Sequence, residues 1–300
     1  MKRLLIATLA ILFAAIAARG QQPASTEQPR PAIPALDDIT ITPSRLELVM
    51  LPGTEKTVVV NLIYSSVTGK AEPTRVIAYL GDWNISREGK IRFYPPGTLP
   101  NSACAWMFYS PVEELIMPGR THSIRVTISV PKDAAPGDHL AALFVEPRVD
   151  NLKTIQNQKQ VRMKFRLAAI FYVMVPELTR KGSLEGLRAE AGPGGVTVIP
   201  RLKNEGNSHI RPVSSVKLID SAGVVVAEVT GIESLPVLAG SEIEAPIQVE
   251  RSFPEGDYLL RYRVDLGGTV TEGQTELVVK QRAAESAGQA SAKTEKNRKD

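Results

Sequence analysis

The sequence is short of almost everything that enzymes and cofactor proteins use. Its 300 residues hold one cysteine, Cys104, and three scattered histidines, His122, His139 and His209. A single thiol cannot close an intramolecular disulfide, so stability must come from packing. Cys104 lies in "SACAWMF" and reads as a small buried hydrophobe rather than a reactive thiol. No pair of histidines has metal-ligand spacing, so no metal site is expected. Gly-x-Ser-x-Gly, His-Glu-x-x-His, Walker and Cys-x-x-Cys motifs are all missing, and neither catalytic residues nor a cofactor site are expected. "GPGGV" at 192–196 has no helix after it to cradle a phosphate, and reads as a hairpin turn. Glu113 and Glu114 are adjacent, so in an extended chain they face opposite ways and make no general acid/base pair. Aromatics are only 5% and none interleaves with a basic run, which excludes a nucleic-acid stacking platform.

Long apolar runs are also scarce. The run Leu4–Ala17, behind Lys2 and Arg3, is shorter than the roughly 20 residues of a membrane span. With "AARGQQPAS" following, residues 1–20 read as a secretory signal peptide cut near Gly20, with Ala15/Ala17 as the alternative. Removing Lys2, Arg3 and Arg19 lowers the formal net charge from +4 to +1, which leaves no footprint for nucleic acid or anionic lipid. No later stretch is long enough to span a membrane, so the mature chain is expected to be exported and soluble. Residues 21–37 read as a proline-rich linker, and residues 281–300 as a charged tail that cannot bury enough apolar surface to fold.

What the sequence does have is a period of two. "ITITPSRLELVM", "KTVVVNLIY", "HSIRVTISVP", "GVTVIPRLKN" and "SVKLID" alternate or run short and β-branched, cut by glycine, proline and asparagine turns. The fold class is therefore all-β, with two related β-sandwich domains in tandem. "APGDHLAALFVEP" and "PEGDYLLRYRVD" repeat a Gly-Asp-aromatic-Leu core, with Gly137 and Gly256 standing 119 residues apart. The composition changes at 176–186, placing domain one at 38–178 and domain two at 179–280.

With no chemistry to assign, binding is the remaining function. "VRMKFRLAAIFYVMVP" (161–176) places Val161, Met163, Phe165 and Leu167 on one face and Arg162, Lys164 and Arg166 on the other, then turns apolar on both. Basic residues on such a strand guard a sheet edge against unwanted pairing, or accompany an edge kept open for a partner's strand.

The order of these features resembles the periplasmic pilus-assembly chaperones of the chaperone–usher pathway. "ITPSRLELVMLPGTEKTVVVNL" is similar to that family's first strand and turn, and "SREGKIRFYPPG" to its mid-domain stretch. "RVDNLKTIQNQKQ" resembles the long loop before the last strand of domain one, and "VRMKFRLAAIFYVMVP" that last strand. The resemblance implies that Val161, Met163, Phe165 and Leu167 are lent to a pilus-type subunit lacking a strand. It also implies that Arg45 contacts the subunit's terminal carboxylate in the cleft between domains. The family's second basic residue falls at Ala169, and its Tyr-Arg-Pro ending is replaced by "YVMVP". The resemblance implies an all-β protein of two immunoglobulin-like β-sandwich domains in tandem, periplasmic and with a protein partner. The other reading is an envelope or surface adhesion module, because "PRLKNEGNSHIRPVSSVKLIDSAGVVVAEV" and "PEGDYLLRYRVDLGG" are equally similar to bacterial envelope immunoglobulin-like modules. A secreted hydrolase is the third class, and it requires a deep polar pocket with converging carboxylates or histidines.

Overall fold

The computed structural model describes residues 38–66, 71–148 and 165–280, and they are all-β apart from one 3-10 turn, Cys104–Trp106. The first ten strands are β1 (Asp38–Thr42), β2 (Arg45–Val49), β3 (Glu55–Ser65), β4 (Thr74–Ile85), β5 (Ile91–Tyr94), β6 (Met107–Ser110), β7 (Glu113–Ile116), β8 (Thr121–Ser129), β9 (Gly137–Pro147) and β10 (Leu167–Val175). They form two sheets, ordered β1-β3-β8-β6 and β2-β10-β9-β4-β5, with β7 also on β4. Alternation explains the layering: Ile124, Val126 and Ile128 of β8 are buried while Arg125 and Thr127 face out. Val60 and Leu62 from the first sheet meet Phe171, Val173 and Leu143 from the second in one core.

The chain passes from one sheet to the other between β1 and β2. β1 is antiparallel to β3, whereas β2 is parallel to β10, pairing Arg45–Val49 with Ile170–Met174. Pro43 lies at the crossing, and having no N–H it cannot continue a ladder.

The other eight strands are β11 (Gly182–Gly192), β12 (Gly195–Asn204), β13 (Val213–Asp220), β14 (Val225–Glu233), β15 (Glu242–Glu244), β16 (Ile247–Val249), β17 (Gly256–Asp265) and β18 (Val270–Val279). They form the sheets β11-β12-β15/β16 and β14-β13-β17-β18, which pack through Val198, Leu202, Ile243, Leu260 and Tyr262. "GPGGV" is the hairpin turn between β11 and β12, with Gly192 opposite Gly195. The internal repeat occupies corresponding places: β9 and β17 each begin at a glycine with positive φ, 126° at Gly137 and 154° at Gly256. Each then pairs with the next strand in sequence, β10 and β18. The preceding element differs. It is unbroken in β8 but split into β15 and β16 around Pro246, whose missing N–H interrupts the ladder.

Cys104 is buried beside Asp82, a residue only 1% exposed. Asp82 accepts bonds from Leu99 N–H (2.7 Å), the Ser102 hydroxyl and the Cys104 thiol (3.1 Å), pinning the loop after β5 to β4. Burial, then the bond to Asp82, pushes the thiol up to about 12, so it is an inert core group. Burial opposes the Asp82 charge, but the Leu99, Ser102 and Cys104 bonds hold its carboxyl below the ordinary 3.8. A lowered carboxyl pKa stabilises the fold above its unfolded value, and the contribution is lost as pH falls through the folded value. Asp82→Ala is therefore expected to lower stability by about 2–3 kcal/mol at pH 7, leaving buried donors unpaired. The deficit should shrink as pH falls below the ordinary 3.8 and through the lowered folded value. Urea titrations of both proteins at pH 7 and pH 2.5 test this; an equal deficit at both contradicts it.

Candidate partner-binding edge

β10 is dry on both faces because each face has its own partner. Its odd residues Ala169, Phe171, Val173 and Val175 are buried in the first sandwich's core. Its even residues Tyr172 and Met174 join Trp83, Leu140 and Ile210 in the cluster that continues into the second sandwich. Tyr172 lies edge-on to Trp83 (5.2 Å, 81°) and against His209 (4.3 Å between ring centroids). Burial raises its phenol to about 12, although Arg211 pulls the other way.

The outer edge of β10 is only partly covered. Pairing with β2 begins at Ile170, whose N–H bonds to Ser44 O. On the inner side, β9 pairs with β10 from Leu167 onward. Leu140 directs its N–H and C=O away from β10, to Asn101 and Ala103, so the odd residues of β9 bond the odd residues of β10. By the same alternation, the backbone groups of Arg166 and Ala168 point outward, and among the described residues no strand pairs with them.

By the alternation of an extended chain, Phe165 falls in phase with Leu167, on the side of the first core. Leu167 packs partly against that core, while Phe165 is 48% exposed. Val161 and Met163 lie outside the described residues. Arg166 is not a free surface charge. Its guanidinium sits 4.4 Å from the Phe144 ring centroid and 5.1 Å from that of Phe93, and Nη1 donates to the Tyr79 hydroxyl at 3.2 Å. Gly81 makes this possible: a Cβ there would stand 2.7 Å from Phe144 Cε2.

Arg45 begins β2, level with Ile170, just where the open edge ends. It lies on the opposite face from Phe165 and Leu167, because its neighbour Leu46 is the residue that enters the core. Its Nε is 3.3 Å from Glu47 Oε1, which also accepts from both Nε (3.2 Å) and Nη2 of Arg211 in the second sandwich. Beside them Asp138 Oδ2 accepts from the backbone N–H of His209 and contacts its Nδ1, both at 2.6 Å, and His209 Nε2 lies 3.7 Å from Glu47. Asn207 O accepts from Asp138 N at 2.8 Å, so the 204–209 turn joins the two sandwiches. Ala169, at the position where the resemblance expects a basic residue, is completely buried. No local pattern in the sequence marks Glu47, Arg211 or the aromatic cage, and Asp138 and His209 stand out there only as part of a repeat and as a scattered histidine, with nothing to pair them.

No family model and no curated protein matches the sequence. Among solved structures the chain is similar to the class 5 fimbriae chaperone CfaA, at 13% identity and a TM-score of 0.41, covering 82% of this chain and 100% of that one. It is also similar to the E. coli chaperone DraB, at 13% identity and a TM-score of 0.39 over 80% and 98% of the two chains. A third is the Salmonella enterica SafA pilin in complex with the SafB chaperone, at 12% identity and a TM-score of 0.39 over 81% and 97%. All three are structures of chaperones, one of them in complex with a pilin. No helix among the described residues is long and apolar enough to cross a membrane.

Proposed function

We propose that this is an exported, non-catalytic chaperone-type protein of the periplasm that binds a partner polypeptide by β-strand addition at the outer edge of β10. The observation that supports this reading is the open edge itself. Among the described residues the outward backbone groups of Arg166 and Ala168 meet no strand, while the half-exposed Phe165 extends the apolar face of Leu167 beyond the core. A strand added there gains main-chain hydrogen bonds from the edge and buries its apolar contacts on Phe165 and Leu167. In the sequence Val161 and Met163 continue the same spacing of two, and in this reading they belong to the donor face. The fitting partner is a pilus-type or other envelope subunit whose own sandwich lacks a strand and so exposes an apolar groove.

Arg45 stands at the end of this edge, beside the second sandwich, with Arg211 close by. Both guanidiniums already share Glu47, so a partner carboxylate entering here competes with a resident one. In this reading Arg45 supplies orientation more than affinity. The mature chain begins after residue 20, and its two sandwiches occupy 38–178 and 179–280. Purification of the tagged mature chain from the envelope of its own cell tests the proposal. A stoichiometric small β-subunit should co-purify; a chain that emerges alone from cells making its envelope structures contradicts it.

A further inference from the structure

Arg166 interrupts the apolar face of neither half of the strand, yet it has the most elaborate surroundings of any residue at the open edge. Its backbone points outward and its side chain turns to the sheet face opposite Phe165 and Leu167. There Phe144, Phe93 and Tyr79, from β9, β5 and β4, enclose the guanidinium. Phe93 meets Phe144 edge-on at 4.9 Å and 88°, and Tyr79 lies 5.3 Å from Phe144, so the rings support one another. The Tyr79 hydroxyl in turn donates to Glu146 at 3.3 Å. Three strands of the sheet therefore converge on one side chain immediately before β10.

This arrangement solves a problem peculiar to an open edge. Pairing with β9 and burial of the odd residues fix the register from Leu167 onward, but before Leu167 no strand among the described residues pairs with the chain. For the edge to present Phe165 in phase with Leu167, something must hold the chain just before β10 to the same alternation of faces. We propose that Arg166 is the positioning residue of the partner-binding edge: seated in the Tyr79–Phe93–Phe144 cage, it holds Phe165 in phase with Leu167. The inference rests on the strand-addition reading and adds to it the element that presents the strand. A flat guanidinium suits the place, since it stacks on aromatic faces and still keeps donors for the Tyr79 hydroxyl.

The test uses the full mature chain. The inward amide of Leu167, where pairing with β9 begins, reports how the start of β10 is held in the free protein, and retention of the co-purified envelope subunit reports presentation. Arg166→Gln should speed hydrogen exchange at Leu167 about ten-fold and weaken subunit retention by a similar factor, with Arg166→Lys intermediate. The amides of Phe171 and Val173 should be unchanged, showing that the sandwich is intact. Phe93→Leu should have an effect of the same kind in the wild type and add little to Arg166→Gln, because both remove one interaction. The proposal is overturned if Arg166→Gln leaves the Leu167 amide as slow as in the wild type, or if exchange quickens while retention stays full. Phe165→Glu separates the two levels. If that variant retains the subunit as well as the wild type does, strand addition itself has failed, and the exchange result still judges the cage.

Discussion

Phe165→Glu is expected to abolish retention of the partner subunit while leaving the melting temperature of the free chain nearly unchanged. The two halves of this expectation come from the same residue's two environments. In the free protein Phe165 is 48% exposed and precedes the first residue of β10, so a carboxylate there stays in water. Substitutions at such places usually change stability by no more than about 0.5 kcal/mol. In the complex the side chain would enter an apolar groove, and burying an unpaired charge costs at least several kcal/mol. At about 1.4 kcal/mol per decade, that amounts to a loss of at least a hundred-fold in affinity. Met163→Glu should behave in the same way. Leu167 is a poorer choice, since it packs partly on the core and a charge there would also loosen the fold. Retention of the subunit by Phe165→Glu at the wild-type level, with the melting curve unchanged, rules out Phe165 as a donated side chain.

The largest effect on stability is expected at Asp138. One carboxylate oxygen accepts the His209 backbone N–H and faces His209 Nδ1, both at 2.6 Å, with Asp138 only 5% and His209 only 4% exposed. No water can replace the carboxylate easily at that depth. Asp138→Ala strands a buried backbone donor and a buried ring nitrogen, a loss of about 3 kcal/mol. For a chain of this size that is roughly a 6–12 °C fall in melting temperature. Asp138→Asn keeps an acceptor oxygen for the backbone N–H and should fall between the two. Because Asp138 opens β9 in the first sandwich and His209 precedes β13 in the second, the variant should also loosen the junction. Scanning calorimetry resolves both: Asp138→Ala should melt earlier and over a broader transition. A melting temperature within 2 °C of the wild type, at about 0.5 kcal/mol or less, contradicts this account of the junction.

The contrast between Phe165 and Asp138 shows which parts of the molecule were legible in the sequence. Period-two patterning carries the all-β class and the phase of each strand, because alternation is written in neighbouring residues. It places Phe165 and Leu167 on one face; in the structure Leu167 packs partly on the first core and Phe165 is 48% exposed. It also finds the repeat, since "GD" followed by an aromatic or histidine and leucine marks the start of both β9 and β17. What it does not carry is the identity of whatever covers a face. Tyr172 and Met174 look like core, but the surface that buries them comes partly from residues beyond 209. Arg166 looks like an edge guard, and only the fold brings Phe93 and Phe144 to it from 73 and 22 positions away in the sequence. The junction charges are harder still. Glu47 and Arg211 stand 164 residues apart, in segments with no shared pattern. The resemblance implies a cleft role for Arg45, and the structure gives it a resident partner in Glu47.

Strand addition makes one demand that no other mode of binding shares. The backbone of Ala168 points outward at the open edge, whereas Leu167 and Ala169 are directed to β9. Amide hydrogen exchange, read residue by residue in the free mature chain and in its complex with the co-purified subunit, addresses this directly. The expected result is that Ala168 exchanges freely alone and becomes protected at least a hundred-fold in the complex, roughly the protection a sheet bond gives, with Leu167 and Ala169 protected in both. An Ala168 amide that exchanges equally fast in the free chain and the complex contradicts binding at this edge.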